Sequence, residues 1–213
     1  MATSAQSAAK EAQIEAPTLS EDAPIPEPIV TTARLGLRPY HLQDVTSMAL
    51  NADNPAIAKY MSLAFPSPYT LESAKTWIIM NPPSPHVCQF GIYELSSPGT
   101  VIGSIGLKLG ADVNSHTAEI GYWIGERYCG KGYTTEALGA MTKWAFESYE
   151  GKDGQRMRRL WGGVFAGNVA SMRCFEKCGY PHEGVMKGHA EKHGEVMDMH
   201  VFGLTKADWE ARK

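Results

Sequence analysis

The sequence predicts an α+β fold built around one mixed sheet. Three observations point there. Strand-like and helix-like segments follow in the order strand, helices, three strands, helix, strand, helix, two strands, without an internal repeat. Twice a strand runs through a glycine-containing turn straight into a helix, at Glu119–Leu138 and again at Leu160–Lys177. The 213 residues, 43% of them apolar, suffice for one complete core plus an appendage.

Each element has its own signal. Ala33–Arg38 alternates as a strand does, and His41–Asn51 carries Val45, Met48 and Ala49 on one helical face. A short helix is expected after Asn54-Pro55, because proline is favoured in a first turn. Thr70–Met80 reads as a helix capped by Thr70, with Glu72 in its first turn suiting the helix dipole, and the proline-rich stretch 81–85 ends it. Val87–Leu95 and Val101–Leu109 are strands around the turn Ser97-Pro98-Gly99-Thr100. In Glu119–Ile124, residues Glu119, Gly121 and Trp123 face one way and Ile120, Tyr122 and Ile124 the other. Thr134 and Thr135 then cap a helix with apolar positions Ala137, Leu138, Met141, Trp144, Ala145 and Tyr149. Leu160–Ala166 is a strand and Asn168–Lys177 a helix. Val185–Ala190 and Glu195–Leu204 are final strands around His193-Gly194.

Composition narrows the class. Residues 1–30 hold no aromatic residue, four prolines, and five acids (Glu11, Glu15, Glu21, Asp22, Glu27) against Lys10, so this stretch carries −4 and the remainder +1 of the formal net charge of −3. Such a segment cannot bury enough apolar surface to offset its ordering entropy, and 1–30 is expected to be a disordered acidic tail ahead of a single domain at 31–213. It has neither the apolar run of a signal peptide nor an Arg-rich presequence pattern. No apolar run approaches the ~20 residues that span a bilayer. Cys88, Cys129, Cys174 and Cys178 lack disulfide-framework spacing. Cys174 and Cys178 share a helical face and are expected to pack. A reducing compartment follows, expected to be cytoplasmic, with access to the nucleus left open. Basic residues cluster only at Arg156, Arg158 and Arg159, without the broad basic surface and stacking aromatics of a nucleic-acid platform. No nucleic acid and no membrane is expected as partner, and the chain is expected to be a monomer or a homodimer.

Glu119–Leu138 carries the functional signal. A strand feeding a glycine-rich loop at a helix N-terminus is an anion site, because free N–H groups and the positive end of the dipole converge there. Two phosphate-loop signatures compete. Gly125-Glu-Arg-Tyr-Cys-Gly130-Lys131 follows the P-loop pattern until its last position, where Gly132 replaces the Ser or Thr that would hold Mg²⁺. The pattern R/Q-x-x-G-x-G/A is met at every fixed position by Arg127, Gly130 and Gly132. That loop resembles the pyrophosphate loop of the GNAT superfamily of N-acetyltransferases. The segment from Gly167-Asn168 through Ser171 and Glu176-Lys177 to Gly179-Tyr180 resembles the superfamily's N-x-x-S-x-x-x-x-E-K-x-G-[FY] element. With Arg34-Leu-Gly-Leu-Arg38-Pro near the start, the chain resembles the RimJ/RimL-type branch, over residues 32–206.

The resemblance implies a mostly antiparallel sheet flanked by helices and transfer of an acetyl group from acetyl-CoA to a primary amine. The acceptor is a small molecule or a protein N-terminus, attacking directly in a ternary complex, with no metal. The implied cofactor contacts are the backbone of Tyr122, Trp123 and Ile124, on a strand that splays from its neighbour. The loop and helix start Arg127, Tyr128, Cys129, Gly130, Lys131, Gly132, Tyr133, Thr134 and Thr135 hold the pyrophosphate. Asn168 and Ser171 follow on the next helix. Cys129, in an anion-binding loop ahead of a helix N-terminus, is expected to have a lowered thiol pKa. Glu119, at the start of the receiving strand, is the candidate base, since a partly desolvated carboxylate accepts protons more readily. Many superfamily members place a proton-donating Tyr where this chain has Phe175, so Ser171, which the branch uses instead, is the candidate acid. Asp198 and His200, on the C-terminal hairpin, are candidates for contacting the acceptor. His189, His193 and His200 lack zinc-site spacing. A non-catalytic acyl-CoA-binding regulatory module is the alternative; it would keep the loop and Asn168 without needing Glu119.

Overall fold

The computed structural model describes residues 20–83, 88–151, 154 and 156–212. Strands β1 (Val30–Thr31) and β2 (Leu35–Arg38) lead, through a 3-10 turn at Leu42–Asp44, to helices α1 (Val45–Ala52), α2 (Pro55–Ala58) and α3 (Leu71–Met80). Strands β3 (Gln89–Glu94), β4 (Val101–Leu109) and β5 (Thr117–Ile124) follow. Then come α4 (Tyr133–Glu147), β6 (Arg159–Phe165), α5 (Val169–Lys177), β7 (His182–Lys192), β8 (Glu195–Thr205) and α6 (Lys206–Glu210). The strands form one sheet in the order β1-β2-β3-β4-β5-β6-β8-β7, antiparallel throughout except for β5 beside β6. The α+β class and the order of elements match the expectation.

The two-residue period of the strands explains the layers. Even-numbered positions of β5 (Ala118, Ile120, Tyr122, Ile124) join the larger core, where Phe90, Ile105, Leu138, Met141, Phe175 and Phe202 pack α4 and α5 on one face of the sheet. Trp123, on the other face, joins Tyr40, Met48, Ala52, Ala74 and Ile78 beneath α1 and α3. Local chemistry sets the boundaries. Asn54 accepts a hydrogen bond from Ala56 N–H (2.8 Å) with Pro55 opening α2, and Thr70 accepts one from Ser73 N–H (3.2 Å) at α3. His193 (φ 53°) and Gly194 (φ 83°) both lie in the left-handed region, as the tight turn between β7 and β8 requires.

Two elements escape the sequence pattern. Strand β1 is two residues long, and α6, capped by Thr205, is five. Neither is long enough to show a period. Of the expected tail, residues 1–19 lie outside the described residues. Residues 20–30 lie on the domain: Gln43 Nε2 donates to Glu21 O (3.0 Å), Ile29 N donates to Leu37 O (2.8 Å), and Ile29 and Val30 pack on the larger core. No helix among the described residues is long and apolar enough to cross a membrane.

Candidate active site

The site begins where a ladder stops. Strands β5 and β6 pair through Thr117–Arg159, Ala118–Leu160 and Glu119–Trp161, and no further. Both continue: β5 stays paired with β4 up to Ile124, and β6 with β8 up to Phe165. A wedge therefore opens between them beyond Glu119. Gly125 N donates to Ile102 O (2.8 Å), which sets the antiparallel alternation along β4–β5. Gly121 and Trp123 spend their backbone groups on β4, while those of Tyr122 and Ile124 turn into the wedge. Backbone N–H and C=O groups left this way require partners. A peptide-like arm lying along β5 would supply them.

The wedge leads to the glycine loop. After a 3-10 turn at Glu126–Tyr128, Gly130 (φ 75°) and Gly132 (φ 78°) take left-handed conformations, and α4 starts at Tyr133. This corrects the expected cap. Gly132 is the N-cap and offers no side chain, while Thr134 and Thr135 lie inside the first turn. Glu136 N is the first amide to bond back, to Gly132 O (3.0 Å), so the N–H groups of Tyr133, Thr134 and Thr135 have no intrahelical acceptor. A Cβ on Gly130 would meet nothing within 4 Å, so the space above the loop is open. Arg127 is exposed and has no ion-pair partner among the described residues. Lys131 lies over the Tyr128 ring, 5.1 Å from its centre. Cys129 corrects a second expectation. Burial and the Glu126 carboxylate push its thiol pKa up instead of down, and its Sγ leans toward Gly125 O (3.7 Å).

The loop is held from outside. Arg34, at the β1–β2 turn, donates from Nη1 to Lys131 O (3.0 Å) and from Nε to Glu136 (2.7 Å), with its guanidinium 4.6 Å above the Tyr133 ring. Thr32 Oγ1 donates to Glu136 (2.6 Å), the Tyr133 hydroxyl donates to Glu94, and Asn54 Nδ2 donates to Glu126 (2.7 Å). Burial alone would raise the Glu136 carboxyl. The hydrogen bonds from Thr32 and Arg34, with the guanidinium charge, outweigh it and hold the group below its usual range. Glu136 sits in the first turn of α4, so Arg34 also cancels a charge that would repel an anion at that helix start.

The remaining candidates divide between the two faces. Ser171, in the first turn of α5, has its Oγ 2.9 Å from the Tyr122 hydroxyl on the α4–α5 side of the wedge. Burial pushes the Tyr122 pKa far up, so this phenol keeps its proton. The sequence pointed to Tyr122 through its backbone alone; the contact of its hydroxyl with Ser171 was not legible in the alternation. Asn168 is the N-cap of α5, accepting from Ser171 N (3.2 Å) through Oδ1, which leaves its amide N–H₂ as a donor. Phe175 is buried, stacked on Phe202, and occupies the space a Cβ at Gly162 would need.

Glu119 faces the opposite side. It lines an open cleft of about 870 Å³ whose walls include Lys108, Trp161, Phe165, His189 and Met199. Its carboxylate is 3.9 Å from Lys108 Nζ, with the Glu119 side chain 31% exposed and that of Lys108 84%. Asp198 and His200 do not line this cleft; Met199, between them, does. Asp198 is engaged by Lys187 Nζ (2.7 Å) and Gly188 N (2.8 Å), and His200 by His182 (3.2 Å between ring nitrogens). The hairpin reaches this cleft through Met199, which the two-residue period of β8 puts on the face opposite Asp198 and His200.

Comparison with known proteins decides the family. Residues 34–181 match the model of the acetyltransferase (GNAT) domain. The chain is a GNAT acetyltransferase. It is 26% identical over 181 residues to the uncharacterized N-acetyltransferase p20 of Bacillus licheniformis, covering 84% of this chain and 96% of that one. Its fold superposes on the GNAT-family acetyltransferase from Bacillus anthracis with a TM-score of 0.71 at 21% identity, covering 84% and 98% of the two chains. It superposes on RimL, a ribosomal L7/L12 alpha-N-protein acetyltransferase in complex with coenzyme A, with a TM-score of 0.67 at 20% identity and the same coverage. As a GNAT enzyme this chain performs acetyl-CoA-dependent N-acetylation. Acetyl-CoA suits the residues present: an unpaired strand edge for an amide-bearing arm, then an uncapped helix start for a pyrophosphate.

Proposed function

We propose that this enzyme is of the RimJ/RimL type and acetylates a primary amine by direct attack in a ternary complex, with Glu119 as base and Ser171 as acid. Bound acetyl-CoA supplies an activated thioester. The observation that carries the assignment is the ladder that ends at Glu119–Trp161. It puts a carboxylate at the apex of the wedge on one face and the Ser171–Tyr122 hydroxyl pair on the other. Arg127, the loop N–H groups and the start of α4 grip the pyrophosphate; Tyr122 and Ile124 backbone and Asn168 hold the arm. The same freed N–H groups can donate to the thioester carbonyl oxygen. Glu119 takes the proton of the incoming ammonium. The Ser171 hydroxyl, aligned by Tyr122, gives one to the departing thiolate. The acceptor enters through the cleft beside Glu119 as a small molecule or an exposed N-terminus. Four free cysteines support a reducing, cytoplasmic setting.

The test pairs binding with turnover. At about a hundred times its dissociation constant, acetyl-CoA adds ~2.7 kcal/mol of stability, a rise of roughly 5–10 °C in Tm. Glu119→Gln keeps that rise and lowers kcat/KM for any accepted amine by about 10²–10⁴-fold. An unchanged turnover in Glu119→Gln removes Glu119 from the mechanism; no Tm rise with acetyl-CoA in the wild type removes the cofactor site.

A further inference from the structure

Trp161 is a large ring without an assignment in the fold. It is half-buried yet belongs to neither hydrophobic core, and among the described residues its indole has no ring partner and no hydrogen bond. It stands directly beside Glu119 in the parallel register, so both side chains project to the same face. Two positions on, Gly163 has no side chain, and a Cβ there would meet Met199 Sδ at 2.5 Å. The Met199 thioether therefore lies across Gly163, between Trp161 and Phe165, and Phe165 is paired with Met199 across the ladder. Trp161, Met199 and Phe165 make a continuous apolar floor along one wall of the cleft, with the Glu119 carboxylate at its end.

The charges lining this cleft are uneven. Glu119 is the one carboxylate among its lining residues, facing Lys108 and Arg159, the latter paired with Glu183. A second ammonium on the acceptor would find cations and not an acid. An aminosugar laid on the Trp161–Met199–Phe165 stretch would place hydroxyls against sulfur and aromatic carbon, which is costly; the polar side chains of the lining, Asn114, His116, Thr117 and His189, stand apart from those three residues in the sequence. From this juxtaposition we infer that the acceptor is a small primary monoamine on an aromatic body, and that Trp161 is the residue that selects it. The inference rests on the cleft being the acceptor site, as proposed above. The amine reaches Glu119 while its ring lies on the Trp161–Met199–Phe165 floor, the indole contributing an aromatic contact and, to the ammonium before it loses its proton, a cation–π attraction.

The experiment measures acetyl-CoA-dependent thiol release by the full chain with 2-phenylethylamine, tryptamine, spermidine, glucosamine and a peptide with a free N-terminus. The aromatic monoamines are expected to show the highest kcat/KM. Trp161→Ala is expected to raise their KM about tenfold with kcat changed less than about threefold, the upper range for losing one aromatic contact. Trp161→Phe is expected to recover most of that loss. Because the indole has no ring partner and no hydrogen bond among the described residues and lies outside both cores, both variants should keep the acetyl-CoA-induced Tm rise, which verifies folding. An unchanged KM in Trp161→Ala overturns the role of Trp161. A higher kcat/KM for spermidine, glucosamine or the peptide overturns the acceptor class and leaves the acetyltransferase mechanism standing. An acetyl-CoA-induced Tm rise with no acetylation of either aromatic amine does the same. No Tm rise and no turnover of any amine overturns the underlying site as well.

Discussion

Replacing Arg34 with Ala tests how the cofactor loop is held. Arg34 contributes a hydrogen bond to Lys131 O, a two-point contact with Glu136 and a stacking contact with Tyr133, from a side chain 47% exposed. The exposed ion pair alone is worth little, about 0.2–1 kcal/mol. The hydrogen bond to Lys131 O adds about 0.5–1.5 kcal/mol and the stacking about 0.5–1. Removing Arg34 also uncovers the Glu136 carboxylate in the first turn of α4, where a unit charge near a phosphate repels by about 1 kcal/mol even in water-like surroundings. Losses at one site overlap, so the expected net effect is about 1.5–2.5 kcal/mol, or roughly a 10- to 70-fold rise in KM for acetyl-CoA. Since Arg34 touches no reacting atom, kcat at saturating acetyl-CoA should stay within about threefold. The assay is thiol release against acetyl-CoA concentration. Arg34→Lys should rescue little, because an ammonium reproduces neither the fork nor the stack. A KM within twofold of wild type in Arg34→Ala would refute the clamp.

Two further predictions follow from the same structure. Glu136 has a folded pKa below its unfolded value, so its contribution is complete above pH ~4.5 and disappears as pH falls through the lowered folded value. The contribution of Glu136 to acetyl-CoA affinity, followed by Tm shift, should be constant from neutral pH down to the usual carboxylate range and be lost only below it; weakening between neutral pH and that range would assign the dependence to another group. Asp44 accepts two hydrogen bonds from Arg38 at 2.8 and 2.6 Å with both side chains buried, so Asp44→Asn leaves an uncompensated buried guanidinium. The expected loss is about 3–5 kcal/mol, roughly 6–20 °C in Tm, read by thermal unfolding; a loss under 1 kcal/mol would show the pair to be dispensable.

The elements legible in the sequence were those whose signal is local. The bounds of β4 came out as read, Val101–Leu109, because a mostly apolar run starts directly after the turn Ser97-Pro98-Gly99-Thr100. Thr70 capped α3 because its oxygen needs only a backbone amide three residues away. The start of α4 did not come out as read, because Gly132 in a left-handed conformation begins a helix without any side-chain cap. Strand β1 and the packing of Ile29 depend on a β2 partner that an acidic, proline-rich stretch does not announce.

The candidate site divides the same way. The sequence by itself determined the glycine loop ahead of α4, Asn168 and Ser171 on a helix start, and the alternation that separates Glu119 from Tyr122, since each depends on neighbours within a few positions along the chain. Only the tertiary structure decided the rest. That β5 and β6 part after Glu119–Trp161, that Arg34 locks a loop about a hundred positions away, and that Met199 instead of Asp198 or His200 reaches the cleft are facts of register between distant strands. Register is set by which apolar faces pack together across the whole sheet, a sum over long-range contacts that no local pattern contains.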